Sequence, residues 1–248
     1  MITAATIKYI QSLRLGKFRQ KYNKFIVEGD KCAIEFLKAN TYNIDAIYAS
    51  DDWVTRHSHI LAATHYNLEV IDSKEMKKIS QLKTPTDVLL LCDKPVKDIN
   101  VSLKNESILY LDGLQNPGNL GTIIRTADWY GISQLVCSSD TVDFYHPKVV
   151  QAAMGSHNRM IHFTADLSDL KAISPLPILG TSLEGNPIDR NANLVPCILV
   201  IGNEGQGIRE SNMPYIDQKI LIEGTSNKIA ESLNAGIAAA IVLDRLFG

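Results

Sequence analysis

No apolar run in this 248-residue sequence approaches a membrane span. About 20 residues are needed to cross a bilayer, and the longest stretch, near Ala238–Leu243, falls far short. Disulfide and zinc frameworks also lack their signature. The four cysteines, Cys32, Cys92, Cys137 and Cys197, lie far apart and form no CxxC pair, which fits a reducing compartment. Bulk charge of one sign is missing: 25 basic against 27 acidic residues leave a net charge of −2. A nucleic-acid partner therefore needs a local basic patch. The opening segment MITAATIKYIQSL has no charged start followed by an apolar core, so no signal peptide is expected and a cytoplasmic location is. With 45% hydrophobic and 21% charged residues, disorder and collagen-like repeats are excluded. The length suits one or two domains with a sizeable core.

What is present is an alternation of strand and helix patterns. Residues 1–31 carry seven basic residues and two acidic ones. Ile7, Ile10, Leu13 and Leu15 stand near helical spacing, which predicts an amphipathic helix. FIVEG (25–29), AIYAS (46–50), LEVID (68–72) and DVLLLCD (87–93) read as strands, and 30–39 as a helix burying Cys32, Ala33, Phe36 and Leu37. Residues 94–105 mix Pro, Asn and Lys and read as a boundary. Beyond it, SILYLDG (107–113), QLVCSS (134–139), IHFTA (161–165), PILGTSL (177–183), CILVIGN (197–203) and KILIEG (219–224) read as strands, and 232–247 as a small-residue helix. This alternation predicts a parallel sheet covered on both faces, with ligands at the carboxyl ends of its strands.

Three loops at such positions can carry chemistry. In LDGLQNPGNLGTIIRTADWYG (111–131), Asn119 is expected to cap a helix and Arg125 to point back toward the loop, with Ile123, Ile124 and Ala127 packed inward. The bland reading is a well-capped strand–helix unit with a surface arginine. In LVIGNEGQGIRES (199–211), Gly202, Gly205 and Gly207 follow a GxxGxG order, which is neither the dinucleotide fingerprint nor a P-loop. They allow close backbone approach, and Glu204 favours a cationic or hydroxyl-bearing ligand. The bland reading is a tight turn. In IEGTSNKIAESLNAGIAAAI (222–241), Ser232 and Asn234 cap a helix or face a ligand. The small residues from Ala235 to Ala240 permit close packing against a helix or a second subunit. None of the loops supplies a Ser/His or Cys/His pair, and the six histidines, His65 among them, lie outside all three. The His57–His59 pair reads as an exposed helix end rather than a metal site.

NPGNLGTIIRTA, IGNEGQGI and ESLNAGIAAAI, in this order and spacing, resemble the SpoU/TrmH family of RNA ribose 2′-O-methyltransferases of the SPOUT superfamily. FIVEGDKCAIEFL (25–37), preceded by basic residues, resembles that family's L30e-like substrate-binding module. The resemblance implies an α/β fold in two parts: an L30e-like domain over 1–94, a linker over 95–105, and a parallel-sheet methyltransferase domain with a trefoil knot over 106–248. Such a knot is an exception to the usual rule of chain threading. The resemblance also implies S-adenosyl-L-methionine as cofactor, held by loops around Thr181, Leu183, Gly202, Gly207, Ile222 and Leu233. It implies functional roles for Asn119, Arg125, Glu204, Ser232 and Asn234, and a homodimer; the cysteine spacing and the short apolar runs leave no metal or membrane partner expected. RNA is the implied substrate, ribosomal ahead of transfer RNA, tracked by Arg14, Lys17, Arg19, Lys21 and Lys24. The EGTSNKIAE segment departs from the family by its length and by lacking the common Ile-Pro.

Two readings of Arg125 stay open. Within the family its counterpart is often assigned as the base that takes the ribose proton, yet arginine is effectively always protonated. The alternative is a grip on the neighbouring phosphate that stabilises the developing alkoxide. Two rival functions also stand. A non-enzymatic RNA-binding protein retaining the fold would bind RNA but ignore S-adenosylmethionine. A nucleotide-dependent oxidoreductase would hold a dinucleotide instead, against the glycine order and its late position.

Overall fold

The computed structural model describes residues 1–62, 66–95, 106–188, 196–225, 227 and 229–248. Most of the expected linker, and His65, lie outside the described residues. Two compact units emerge: Met1–Lys97 with Asp143–Asn158, and Asp98–Val142 with Arg159–Gly248.

The first unit opens with α1 (Ala4–Ser12) and α2 (Gly16–Tyr22), followed by β1 (Lys24–Glu28), α3 (Asp30–Ala39) and β2 (Ile44–Ala49). Next come α4 (Asp51–Arg56), α5 (Ser58–Leu61), β3 (Leu68–Val70), α6 (Ser73–Ile79) and β4 (Val88–Asp93). The strands order as β1-β4-β2-β3. β4 runs antiparallel to both neighbours, and β2 pairs with β3 in parallel. The expected single amphipathic helix is two. Ile10 and Leu13 are buried, whereas Leu15 is 53% exposed at the break before Gly16.

Residues 143–158, which include α8 (Pro147–Ala153), complete this unit. Phe25, Phe36 and Tyr42 form an aromatic cluster with Tyr145 and His157. Tyr42 donates its hydroxyl to the His157 carbonyl at 3.1 Å. Arg19 is 2% exposed. Its guanidinium donates to Asp143 at 2.7 Å and to the carbonyls of Leu13 and Arg14 at 2.8 and 2.9 Å. Burial alone would raise the Asp143 carboxyl, but the Arg19 charge and a bond from the Tyr145 amide outweigh it and hold it below its ordinary value.

The second unit contains β5 (Ile108–Leu111), α7 (Pro117–Trp129), β6 (Gln134–Cys137) and β7 (Ile161–Thr164). It continues with α9 (Leu167–Ile173), β8 (Ile178–Pro187), β9 (Ile198–Ile201), β10 (Gln218–Leu221) and α10 (Ala235–Phe247). Its six strands are all parallel, in the order β10-β8-β9-β5-β6-β7. β5 and β9 are continuous apolar runs buried at every position, as central strands covered on both faces require, and β6 is buried throughout with one polar residue, Gln134, at its start. The edge strands β7 and β10 each keep one buried position and expose two. β8 runs four residues past the expected end at 183. α10 packs on α7, and a Cβ on Gly236 would stand 3.5 Å from the Thr122 side chain. The small residues of α10 thus seat it against another helix of the same unit.

His157 is fully buried, and its Nε2 faces the Phe144 carbonyl at 2.9 Å. That partner requires the proton on Nε2. Burial pushes its pKa down to about 4. Between that value and about 6.5, where an unfolded histidine titrates, the unfolded chain binds the extra proton. Stability from this group is therefore complete above pH 6.5 and is lost as pH falls toward 4, to a limit of about 3 kcal/mol. Urea unfolding across this range is expected to show that decline in the wild type and to lose most of it in His157→Gln. Parallel profiles for the two proteins contradict the assignment.

Candidate active site

The parallel sheet ends in loops, and three of them converge. After β5 the chain passes Asn116, whose side chain accepts from the amides of Gly118 and Asn119 at 2.8 and 3.3 Å. Asn116, not Asn119, is therefore the helix cap. Pro117 fills the first helical position, where no N–H is needed, and holds the residue before it extended. Asn119 is freed for another task. Its amide nitrogen donates to Glu204 Oε1 at 2.8 Å, and its oxygen accepts from Asn234 Nδ2 at 3.0 Å. Asn234 in turn caps α10, accepting from the amides of Gly236 and Ile237. The expected helix start at Ser232 moves to Ala235, because Asn234 takes the cap. Glu204 and Asn234, 85 and 115 positions from Asn119, thus form one hydrogen-bonded chain with it.

The loop after β9 folds into a tight bridge. Asn203 and Gly207 exchange backbone bonds at 2.9 and 3.0 Å, with Gly207 at φ +68°. A Cβ on Gly202 would fall 2.2 Å from the Gly207 carbonyl carbon, so only glycine fits there. Beside the bridge lies a cavity of about 680 Å³. All six residues expected to hold a cofactor line it: Thr181, Leu183, Gly202, Gly207, Ile222 and Leu233. Glu204 and Ser232 line it too, whereas Asn119, Asn234 and Arg125 do not. Arg125 is exposed on α7 and makes no hydrogen bond or ion pair with the described residues. Glu204 is held by Asn119 rather than by Arg125. In the segment between β10 and α10, residues 226 and 228 lie outside the described residues. Among the described residues, no group of three or more His, Cys, Asp and Glu could hold a metal ion.

The cavity suits a nucleoside with a cationic tail. Leu183, Ile201, Ile208, Ile222 and Leu233 give it apolar walls, and Glu204 adds a carboxylate. Loops that run close to the cavity without a side chain in the way, as at Gly202, can offer amides and carbonyls to a base.

A second polar network supports the bridge, and sequence reasoning missed it. Asp112 follows β5 and is wholly buried. It accepts the Arg209 amide at 2.8 Å and Arg209 Nε at 2.5 Å, and it ion-pairs with the same guanidinium. Arg209 also reaches Asp140 at 3.1 Å. Ser138 Oγ donates to Asp140 at 2.8 Å and accepts the Gly113 amide at 2.8 Å. Asn203 Nδ2 donates to the Gly113 carbonyl at 2.7 Å. The available signal was an aspartate directly abutting an all-apolar strand, since a carboxylate there must find a cation.

The expected RNA-facing residues divide. Arg14, Lys17 and Lys21 are exposed. Arg19 and Lys24 are not free cations: Arg19 is buried against Asp143, and Lys24 is tied to Asp45 at 2.8 Å and Asp93 at 2.5 Å. A run of like charges on short helices cannot face one way, so some of its members turn inward and find carboxylates.

Fold and site together define an α/β methyltransferase of the SPOUT class. Residues 106–244 match the SpoU rRNA Methylase family, and residues 4–90 match the MRM3-like substrate binding domain. The chain belongs to the SpoU rRNA methylase family. It is 30% identical over 98% of its length to 23S rRNA (guanosine(2553)-2′-O)-methyltransferase RlmP of Bacillus subtilis, covering 96% of that protein. A TrmH-family structure from Porphyromonas gingivalis superposes with a TM-score of 0.85 at 32% identity, covering 99% of this chain and 98% of that one. An AdoMet-bound rRNA methyltransferase from Sinorhizobium meliloti superposes with a TM-score of 0.85 at 26% identity, covering 99% and 95%.

Arg209→Ala leaves Asp112 buried without its cation. A loss of about 3–5 kcal/mol in urea-unfolding free energy is expected, with Arg209→Lys recovering only part because an ammonium lacks the fork. An unchanged unfolding midpoint contradicts this role.

Proposed function

We propose that this protein methylates a ribose 2′-hydroxyl of ribosomal RNA, using S-adenosylmethionine. The observation that carries the reading is the Glu204–Asn119–Asn234 chain beside a glycine-bridged cavity. Family membership supports it, as does the rRNA 2′-O-methyltransferase name of a relative similar over nearly the full length. A substrate-binding domain over 1–94, a linker over 95–105 and a methyltransferase domain over 106–248 draw support from the two family matches, while residues 143–158 group with the first compact unit.

When bound, S-adenosylmethionine supplies a methyl group on a cationic sulfur, so the protein's task is orientation and charge. When bound, the cofactor would be held by backbone groups of Gly202, Ile222 and Leu233, with Thr181 and Leu183 beside it on the cavity wall. Glu204, fixed by Asn119, would supply negative charge to its cationic end. Ser232 and Asn234 shape the rim where the ribose enters. Arg125, free of protein partners among the described residues, is available to RNA. A guanidinium that stays protonated is better suited to grip a phosphate and stabilise the developing alkoxide than to accept a proton. Arg14, Lys17 and Lys21 contact RNA phosphates. The assembly is a homodimer, supported by Trp129 at 83% and Ile237 at 52% exposure on the paired helices α7 and α10.

Methyl transfer from labelled S-adenosylmethionine tests the reaction on unmodified large ribosomal RNA and, separately, on bulk transfer RNA. Label is expected in the ribosomal RNA, in alkali-resistant dinucleotides, because a methylated 2′-oxygen cannot cleave the next phosphodiester. Arg125→Ala is expected to lower the rate about 100-fold or more. Label confined to alkali-labile nucleotides would falsify ribose methylation. Light scattering checks the assembly: Trp129→Glu is expected to convert dimer to monomer, and a wild-type monomer removes the dimer.

A further inference from the structure

The N-terminal helices carry more than charge. Residues 1–27 contain no acidic side chain. The carboxylates whose charge acts on Tyr9, Asp45 and Asp93, are both paired with Lys24. On this surface three aromatic rings gather. Phe18 and Tyr22 stack with centroids 6.0 Å apart and planes within 11°, and Tyr9 meets the Tyr22 ring edge-on at 5.0 Å. The rings are not sealed in a core: Tyr22 is 36% exposed, and Phe18 and Tyr9 are partly exposed. Lys17 sits over Phe18 at 5.1 Å and Lys21 over Tyr22 at 5.3 Å. α6 adjoins the same helices. Gln11 Nε2 donates to the Lys78 carbonyl at 2.8 Å, and Arg14 donates to the Ser80 carbonyl at 2.7 Å. Exposed Lys77 and Lys78, some sixty residues away in sequence, thereby join the basic surface.

We propose that Tyr22 and Phe18 are a stacking platform for an unpaired RNA base, with Lys17, Lys21 and Lys78 on the flanking phosphates. The inference rests on the reading of this chain as acting on RNA, and it narrows the substrate to a segment with a base out of the helix. Aromatic faces flanked by cations suit single strands, since every base has a π-face and the backbone is anionic. A base inside a duplex is already stacked and offers no face. The lysines now over the rings are flexible, so they can swing to phosphates as a base replaces them.

The test uses the full-length protein and a 2-aminopurine-labelled RNA, as a single strand and as the blunt duplex. The single strand is expected to bind more tightly, with 2-aminopurine fluorescence quenched on binding. Tyr22→Ala is expected to weaken it about 5- to 150-fold and to abolish the quenching, with its salt slope unchanged. Tyr22→Phe keeps both. Lys17→Glu with Lys21→Glu instead lowers the salt slope. Wild-type affinity and quenching in Tyr22→Ala overturn the platform and leave the methyltransferase reading standing. Failure of the wild type to bind either RNA overturns both.

Discussion

One side-chain amide holds the candidate site together. Asn119 uses its nitrogen for Glu204 and its oxygen for Asn234. It thereby joins the start of α7, the loop after β9 and the start of α10. An amide is the right group for this, because it donates and accepts at once. A carboxylate could not donate to Glu204, and an ammonium could not accept from Asn234. The cap on α10 and the carboxylate at the cavity are consequently set by the same residue. Beneath it, Arg209 and Asn203 anchor the glycine bridge to the end of β5.

Much of the fold was legible, for reasons that differ between elements. β5 and β9 are short unbroken apolar runs, and their burial on both faces is what such runs require. α3 falls at its expected bounds because Cys32, Ala33, Phe36 and Leu37 recur at helical spacing. The cap of α7 was misplaced by three residues, since Pro117 decides the helix start more strongly than a later asparagine. The knot that the family resemblance implies is a matter of threading, which periodicity does not encode.

The site was legible as a set of residues rather than as a set of bonds. The six expected cofactor positions meet around one cavity. Which residue grips which was hidden, because the partners are distant in sequence: Arg209 and Asp112 are 97 positions apart. The same limit explains Arg19 and Lys24, whose carboxylate partners lie elsewhere in the chain. Counting charges in a segment gives its field at long range, but it does not show which charges turn inward.

The candidate site stands or falls with the cavity at the glycine bridge holding the cofactor. Titration calorimetry of S-adenosylmethionine into the wild type and Gly202→Ala measures this directly, with circular dichroism confirming that the variant is folded. One molecule per chain is expected for the wild type. No binding is expected for the variant, because the added methyl displaces the Gly207 carbonyl. Wild-type affinity in a folded Gly202→Ala protein contradicts the assignment of this cavity.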